Sequence, residues 1–435
     1  MEKGAIIASY SLVAKSIKLL AAPVTLLIIS KELSSEELAY YYTFFSLISM
    51  QQLAELGIGH TMKQYISHSY KFDGDIWSSV SKAKIKAYYK TTNNWFYGVS
   101  IFILFIVGIS GYFYLNVSVS SINWMIPWFF LVLASALNTL ITPMIILIDS
   151  TQNQEKVQQA KLISGLTSSV VLWLSLGFGF GLYSVGVSSF TTLLMNYILL
   201  NKSKFEIVSK LNQIPDCYTQ RDILNEIWPL LSRVSIVWAG GFLFWNSFNL
   251  VIFGTLDAAV AGCIIFAFTL AKVGFGVAES MTQGQMTMFS NLITNNKQDE
   301  AYCIFNKYLR FSMLVILFGY MTFFAVWFIF PYLFIFDKMP SNIIMIQCCV
   351  YFFILLFKTL KNNYVRCYKV EPFVKTALFE SVISPLLFYI GVLYFGDYLL
   401  IPSIVMISIM TGVTLYVGNM ALKHKMEQLS VQGCL

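Results

Sequence analysis

The chain has 435 residues, 57% of them hydrophobic, 16% aromatic and only 12% charged, with a mean hydropathy of +0.68. So little polar surface cannot coat a water-soluble globule, which excludes a soluble enzyme, a disordered chain and a secreted disulfide scaffold. What remains is a polytopic all-α membrane protein, with room for about a dozen spans at roughly 20 core residues each.

Long apolar runs separated by short polar breaks predict twelve helices, at 6–30, 37–59, 94–115, 125–148, 162–181, 184–200, 228–252, 260–282, 311–335, 343–357, 376–395 and 399–422. The first run carries Lys15 and Lys18 and lacks a small-residue cleavage site, so it reads as a retained helix rather than a signal peptide. The longest expected loops, 60–93 and 201–227, both fall on the inner side, and neither is large enough for a separate domain. The expected organisation is an N-terminal six-helix lobe over 1–200, a cytoplasmic linker over 201–227 and a C-terminal six-helix lobe over 228–435.

Net charge is +7, from 29 basic and 22 acidic side chains. With the N-terminus inside, the inner segments hold 23 of the bases, Lys358 among them, and the outer loops only Lys31 and Lys338. This asymmetry sets an N-in, C-in orientation. It also accounts for the net charge without a nucleic-acid partner, since the bases are scattered over many short segments. The seven cysteines show no metal-ligand spacing and read as free thiols. Trp124 and Trp128 read as outer interface anchors and Trp228 as an inner one.

A weak internal repeat joins the two halves. Shifted by 218 positions, Ser11–Ile17 falls on Pro229–Ser235, which pairs Lys15 with Arg233, and Pro23 falls on Gly241 beside Gly240. Gly57-Ile58-Gly59 resembles Gly274-Phe275-Gly276 at a shift of 217. Pro23, Gly240 and Gly241 are candidate hinges, because proline removes a backbone donor and glycine lacks a side chain. Parallel repeats of this kind place substrate near the midplane, beside interrupted helices.

Four bases remain inside the spans: Lys15, Lys18, Arg233 and Lys272. Each costs about 2.5–3.5 kcal/mol at a helix centre unless it meets water, a partner or a ligand. Lys15 and Lys18 share one helix face, continued by Ala22 and Thr25. The competing readings are snorkelling for Lys15, Lys18 and Arg233 and a buried ion pair for Lys272. Glu55, Glu279 and Glu380 are the acids in or near spans, candidates for structural ion pairs or for carrying a coupling proton. Asn246 and Asn249 suit sugar hydroxyls, or hydrogen bonds to neighbouring helices. The chain has no phosphate-binding G-x-x-x-x-G-K-[ST] loop, no constellation of catalytic residues and no metal-ligand set. A net-basic set of intramembrane charges favours an anion over a cationic drug, and an anion that also sits against lipid suggests a phosphorylated lipid head group.

Ser11-Leu12-Val13-Ala14-Lys15, the segment Leu53-Ala54-Glu55-Leu56-Gly57-Ile58-Gly59 and the twelve spans in two halves resemble the polysaccharide-unit flippases. These form the O-antigen (Wzx-type) branch of the multidrug/oligosaccharidyl-lipid/polysaccharide exporter superfamily, which has the MATE-like fold. The resemblance covers the whole chain, on loose motifs. It implies two pseudo-symmetric lobes in a bacterial inner membrane. It also implies alternating-access transport of an undecaprenyl-diphosphate-linked oligosaccharide for O-antigen or lipopolysaccharide biosynthesis, with Lys15, Lys18, Arg233 and Lys272 meeting the diphosphate. Expected partners are the lipid-linked oligosaccharide, membrane lipids and polysaccharide polymerase machinery; no cofactor is expected beyond a coupling H⁺ or Na⁺. Alternatives are a cation-coupled drug or small-solute antiporter of the same superfamily, a major-facilitator transporter, and a membrane-embedded polymerase, against which the short outer loops argue.

Overall fold

The computed structural model describes residues 21 and 23–432 except 74, 75, 119, 296 and 369; side chains at 72, 73, 76, 287 and 425–432 are also outside the description. Lys15, Lys18 and most of the first expected span therefore lie outside the described residues. Among the described residues the regular structure is helical apart from one two-stranded hairpin. Among the described residues ten helices are long and apolar enough to cross a membrane, and they coincide with the expected spans from 94–115 onward. Large apolar side chains such as Phe105, Phe113, Phe318 and Tyr416 point outward. That arrangement suits hydrocarbon and not water, so the chain is a multi-pass membrane protein. By contacts it divides into two compact units, Met1–Phe242 and Leu243–Leu435.

In the first unit, α1 (23–32) leads into α2 (Ser35–Ile48). Ser34 caps α2 reciprocally with Glu37: the Glu37 amide donates to Ser34 Oγ at 3.1 Å and the Ser34 amide to Glu37 Oε2 at 2.8 Å. The second expected span is not one helix. It is broken into α2, α3 (Gln51–Glu55) and α4 (Ile58–Ser69). The break falls where Leu56 and Gly57 both take left-handed backbone, φ 52° and 72°, which an α-helix of L-residues cannot absorb.

After α4 comes a hairpin of β1 (Phe72–Asp73) and β2 (Ile76–Trp77). The buried Trp77 indole donates to Ser81 Oγ at 2.9 Å, and Ser81 Oγ donates to the Ser69 carbonyl. α5 (Ser79–Ile101) continues through a π-helical turn, Phe102–Val107, into α6 (Gly108–Leu115). A π turn disturbs the regular backbone ladder. Beside it the Trp128 indole donates to the Gly108 carbonyl at 3.0 Å. Trp128 is fully buried and lies against Gly111, where a Cβ would collide with its ring. It is thus a core residue, not the interface anchor expected from its position; Trp124 is buried too.

α7 (Met125–Ser150), α8 (Gln154–Gly177) and α9 (Tyr183–Asn212) pack together, α9 lying against both of the others. Asn138 Nδ2 fastens α7 to α9 by donating to the Ser189 carbonyl at 3.0 Å. α10 (Gln220–Thr255) follows a short connection, so most of 201–227 is helix rather than loop. The same holds at 60–93, where α4 and α5 reach beyond the apolar run. Hydropathy marks the thickness of the bilayer, while a helix continues past it wherever its backbone bonds permit.

The second unit starts within α10 and holds α11 (Ala258–Gln283), α12 (Met286–Thr294), α13 (Gln298–Ile329), α14 (Asn342–Arg366), α15 (Val374–Tyr394) and α16 (Ile401–Gln432). α11 packs on α13 and α14, and α16 on α14 and α15. Its centre is aromatic: Phe248 lies 4.8 Å from Phe268 and 4.4 Å from Phe388, and Phe268 4.8 Å from Phe352. Gln347 secures the turn before α16, donating to the Asp397 carbonyl at 2.7 Å and accepting from the Leu400 amide at 3.0 Å. The six described cysteines are free.

Candidate functional site

In the first unit the break in the second span is docked on α10. Gly57 approaches Val234 and Trp238 so closely that an added Cβ would overlap Val234. The carbonyls released by the break find side-chain donors: Ser235 Oγ donates to Leu56 O at 3.1 Å, and the Trp95 indole to Ala54 O at 3.1 Å. Irregular backbone survives at membrane depth only when satisfied in this way. Glu55 ends α3 immediately before the break, half-buried. Arg233 is exposed on α10, one residue before Val234. Neither makes an ion pair among the described residues. The expected likeness between Gly57-Ile58-Gly59 and Gly274-Phe275-Gly276 does not extend to the backbone: Gly274 lies inside the continuous α11.

In the second unit Lys272 of α11 is half-buried, with Nζ 4.7 Å from the centre of the Trp245 ring. Phe275, one turn on, lies 6.1 Å from the same ring. Lys272 makes no ion pair among the described residues, so the buried-ion-pair alternative is not what the structure holds. Its positive charge rests instead on a π face, worth about 2 kcal/mol where water is excluded. Elsewhere on α11, Gly274 admits Tyr320, whose hydroxyl donates to the Ala271 carbonyl at 2.9 Å, so α13 packs against that side of the helix. Glu279 is half-buried in α11 without an ion pair among the described residues. Asn246 and Asn249 are half-buried on α10, just after Trp245.

Glu380 differs from the other two acids. It is buried in α15 and ion-paired with Lys358 of α14, side chains 8% and 7% exposed. Lys358 is therefore not a solvated inner-segment base. α14 runs on to Arg366, and Lys358 stays inside the packed face. Glu380 Oε1 is buried without a hydrogen-bond partner among the described residues.

The candidate hinges are ordinary in conformation. α10 remains helical through Gly240 and Gly241; Pro229 is the proline within it. Pro23 is exposed in α1. No cluster of three or more potential metal ligands occurs among the described residues.

At the inner end of the first unit, basic side chains of α5 clasp the connection into α10. Lys86 and Lys90 each lie 2.9 Å from Asp216, Lys84 2.8 Å from Glu226, and Lys86 Nζ donates to the Ile214 carbonyl at 2.7 Å. The hydrogen bonds from Lys86 and Lys90 hold the Asp216 carboxyl down to about 2. Lys63 of α4 pairs with Asp149 at the end of α7.

No protein family and no curated protein matches the sequence. Solved structures do match, over nearly the whole chain. The inward-facing form of a MATE-family multidrug resistance transporter of the MOP superfamily superposes with a TM-score of 0.68 at 12% identity, covering 96% of this chain and 99% of its own. The lipid II flippase MurJ, in an inward closed conformation, gives 0.58 at 14% identity over 97% and 91%. A MOP superfamily transporter from Pyrococcus furiosus, whose binding pocket is described as reversed in polarity and suggestive of a different function, gives 0.53 at 12% over 97% and 95%. At such identities the likeness is one of fold: an all-α MATE-like membrane fold, seen in transporters and a flippase.

Proposed function

We propose that the chain is a flippase of the MOP superfamily that carries an undecaprenyl-diphosphate-linked oligosaccharide, such as an O-antigen repeat unit, across a bacterial inner membrane by alternating access. The observation that carries this reading is Lys272. It is a half-buried cation in a membrane span, held on an aromatic ring, with no acid paired to it among the described residues. A buried charge without a counter-ion is costly, and a substrate diphosphate is the kind of partner that offsets the cost. Arg233, equally without an ion pair among the described residues, is proposed for the same task, with Lys15 and Lys18 from the first span. Asn246 and Asn249 are proposed to meet glycan hydroxyls. MurJ shows that this fold is used to flip a lipid-linked substrate, and the Pyrococcus protein that pocket polarity varies within it. Polysaccharide polymerase machinery is the proposed downstream partner.

Binding tests the substrate class. Detergent-purified protein titrated with an undecaprenyl-diphosphate oligosaccharide should bind it at least about tenfold more tightly than does Lys272→Gln, a loss of the size expected for one charge-assisted contact. Lys272→Arg should retain most of the affinity. Equal affinity of wild type and Lys272→Gln would remove Lys272 from the site.

A second reading, a cation-coupled drug or solute antiporter, is favoured by one observation. Glu55, beside the break in the second expected span, and Glu279, in the span formed by α11, are half-buried and carry no ion pair among the described residues. In the flippase reading these acids are proposed to carry a coupling H⁺ or Na⁺. In the antiporter reading they bind the substrate, and cationic dyes would then be transported and would compete with the coupling ion.

A further inference from the structure

The inner end of the first unit holds a groove that the translocation reading does not use. Its volume is about 600 Å³, and its walls come from α4, the segment entering α5, and the head of α10. That size falls among small-molecule sites, which run from about 300 to 1,000 Å³. Its charge is lopsided. Lys71 and Lys84 line it against a single carboxylate, Glu226, which is already bound to Lys84 at 2.8 Å, and His68 adds an imidazole. Lys71 and His68 are exposed, and neither makes an ion pair among the described residues. Gln64 adds a side-chain amide to the same wall.

The walls are positioned firmly. Ser81 Oγ accepts from the Lys71 amide at 3.2 Å and from the Trp77 indole, while donating to Ser69 O, so one hydroxyl ties the end of α4 to α5. Tyr65 OH donates to the Glu226 carbonyl at 3.2 Å and ties α4 to α10. Val80 adds an exposed apolar side chain to the wall, at the first turn of α5. Two helices that carry membrane spans begin beside the groove, Ser79–Leu115 and Gln220–Thr255. A basic, hydrogen-bonding cleft with an apolar lip at the inner end of membrane helices matches a phospholipid: phosphate in the cleft, acyl chains running into the bilayer alongside the helices.

We propose that this groove binds the phosphate of an anionic phospholipid of the inner leaflet. Lys71 and Lys84 are the charged ligands, and His68 and Gln64 the hydrogen-bonding ones. The site is distinct from the intramembrane bases and does not depend on what the protein transports.

Native mass spectrometry of the full chain in detergent tests this, with phosphatidylglycerol, phosphatidylcholine and inorganic phosphate as probes. A basic residue near an anionic surface contributes about 1 kcal/mol, roughly fivefold in affinity. Wild type should therefore retain phosphatidylglycerol at least about fivefold over phosphatidylcholine, the preference expected of one such residue. His68→Gln/Lys71→Gln should lose that preference, and so should Val80→Glu, which adds a carboxylate to the wall without removing a cation. Lys297→Gln, in the second unit, should keep it. The proposal is overturned by equal retention of the two lipids in wild type, or by an unchanged preference in both groove variants. Inorganic phosphate that binds in place of any lipid preference would overturn the lipid assignment.

Discussion

Removing either member of the buried Lys358–Glu380 pair should destabilise the second unit, and removing both should cost much less. Both side chains are less than a tenth exposed, and Glu380 Oε1 has no hydrogen-bond partner among the described residues, so Lys358 is the group that offsets burial of the carboxylate. Lys358→Met leaves Glu380 buried without its counter-ion, and Glu380→Gln does the same to Lys358. Breaking a buried pair in this way costs about 3–5 kcal/mol, because the remaining group stays buried and loses the attraction that offset its desolvation. The double variant Lys358→Met/Glu380→Leu strands no charge and should recover most of the stability. The assay is equilibrium unfolding in mixed micelles, with both single variants and the double compared with wild type. Singles and double equally destabilised, or singles as stable as wild type, would contradict the pairing.

Other consequences can be checked independently. Gly57→Ala should destabilise the first unit by at least about 1 kcal/mol, because alanine is strained at φ 72° and its Cβ meets Val234; an unchanged melting temperature in detergent would contradict the docking of the break on α10. Gly391→Ala should be worse tolerated, since its Cβ would strike the Leu399 carbonyl, which is backbone and cannot rotate away; normal yield and monodispersity of that variant would count against the packing of α15 on the segment before α16. The clasp on Asp216 should persist well below the ordinary carboxylate range. Its folded-state pKa is depressed, so its contribution is complete above about 4 and is lost as pH falls towards about 2. Amide exchange in 213–219, corrected for its intrinsic rate, should stay slow at pH 4 and in Asp216→Asn be fast already at pH 7. Rapid exchange in wild type at pH 4 would contradict the clasp.

The ten long spans were legible because length and apolarity are properties of single segments. The broken second span was not, although its signals are present: Gly57 and Gly59 within three residues and Glu55 just before. Each is tolerable alone in a membrane helix, and only docking against Val234 and Ser235 decides that Leu56 and Gly57 turn left-handed. The same limit explains Lys358. Hydropathy ended its helix at residue 357 and gave the lysine to water, while the partner that keeps it inside, Glu380, lies on another helix. Lys63 and Asp149 likewise lie just past the ends of the runs 37–59 and 125–148, and only the packing of α4 on α7 brings them together. Lys272 was legible as an anomaly, since a base at the centre of a span needs a reason. Its seat on Trp245 was not, because nothing local distinguishes that indole from the chain's other aromatic rings.

Translocation itself tests the central claim most directly. Proteoliposomes carrying a fluorescent undecaprenyl-diphosphate oligosaccharide are compared for wild type, Lys272→Met and Lys272→Arg, with a cationic dye as the parallel substrate. Wild type is expected to move the lipid-linked glycan and not the dye, Lys272→Met to lose that activity at unchanged reconstitution, and Lys272→Arg to retain much of it. Transport of the dye with no movement of the glycan, or full glycan transport by Lys272→Met, would contradict the claim that an intramembrane cation recognises a diphosphate.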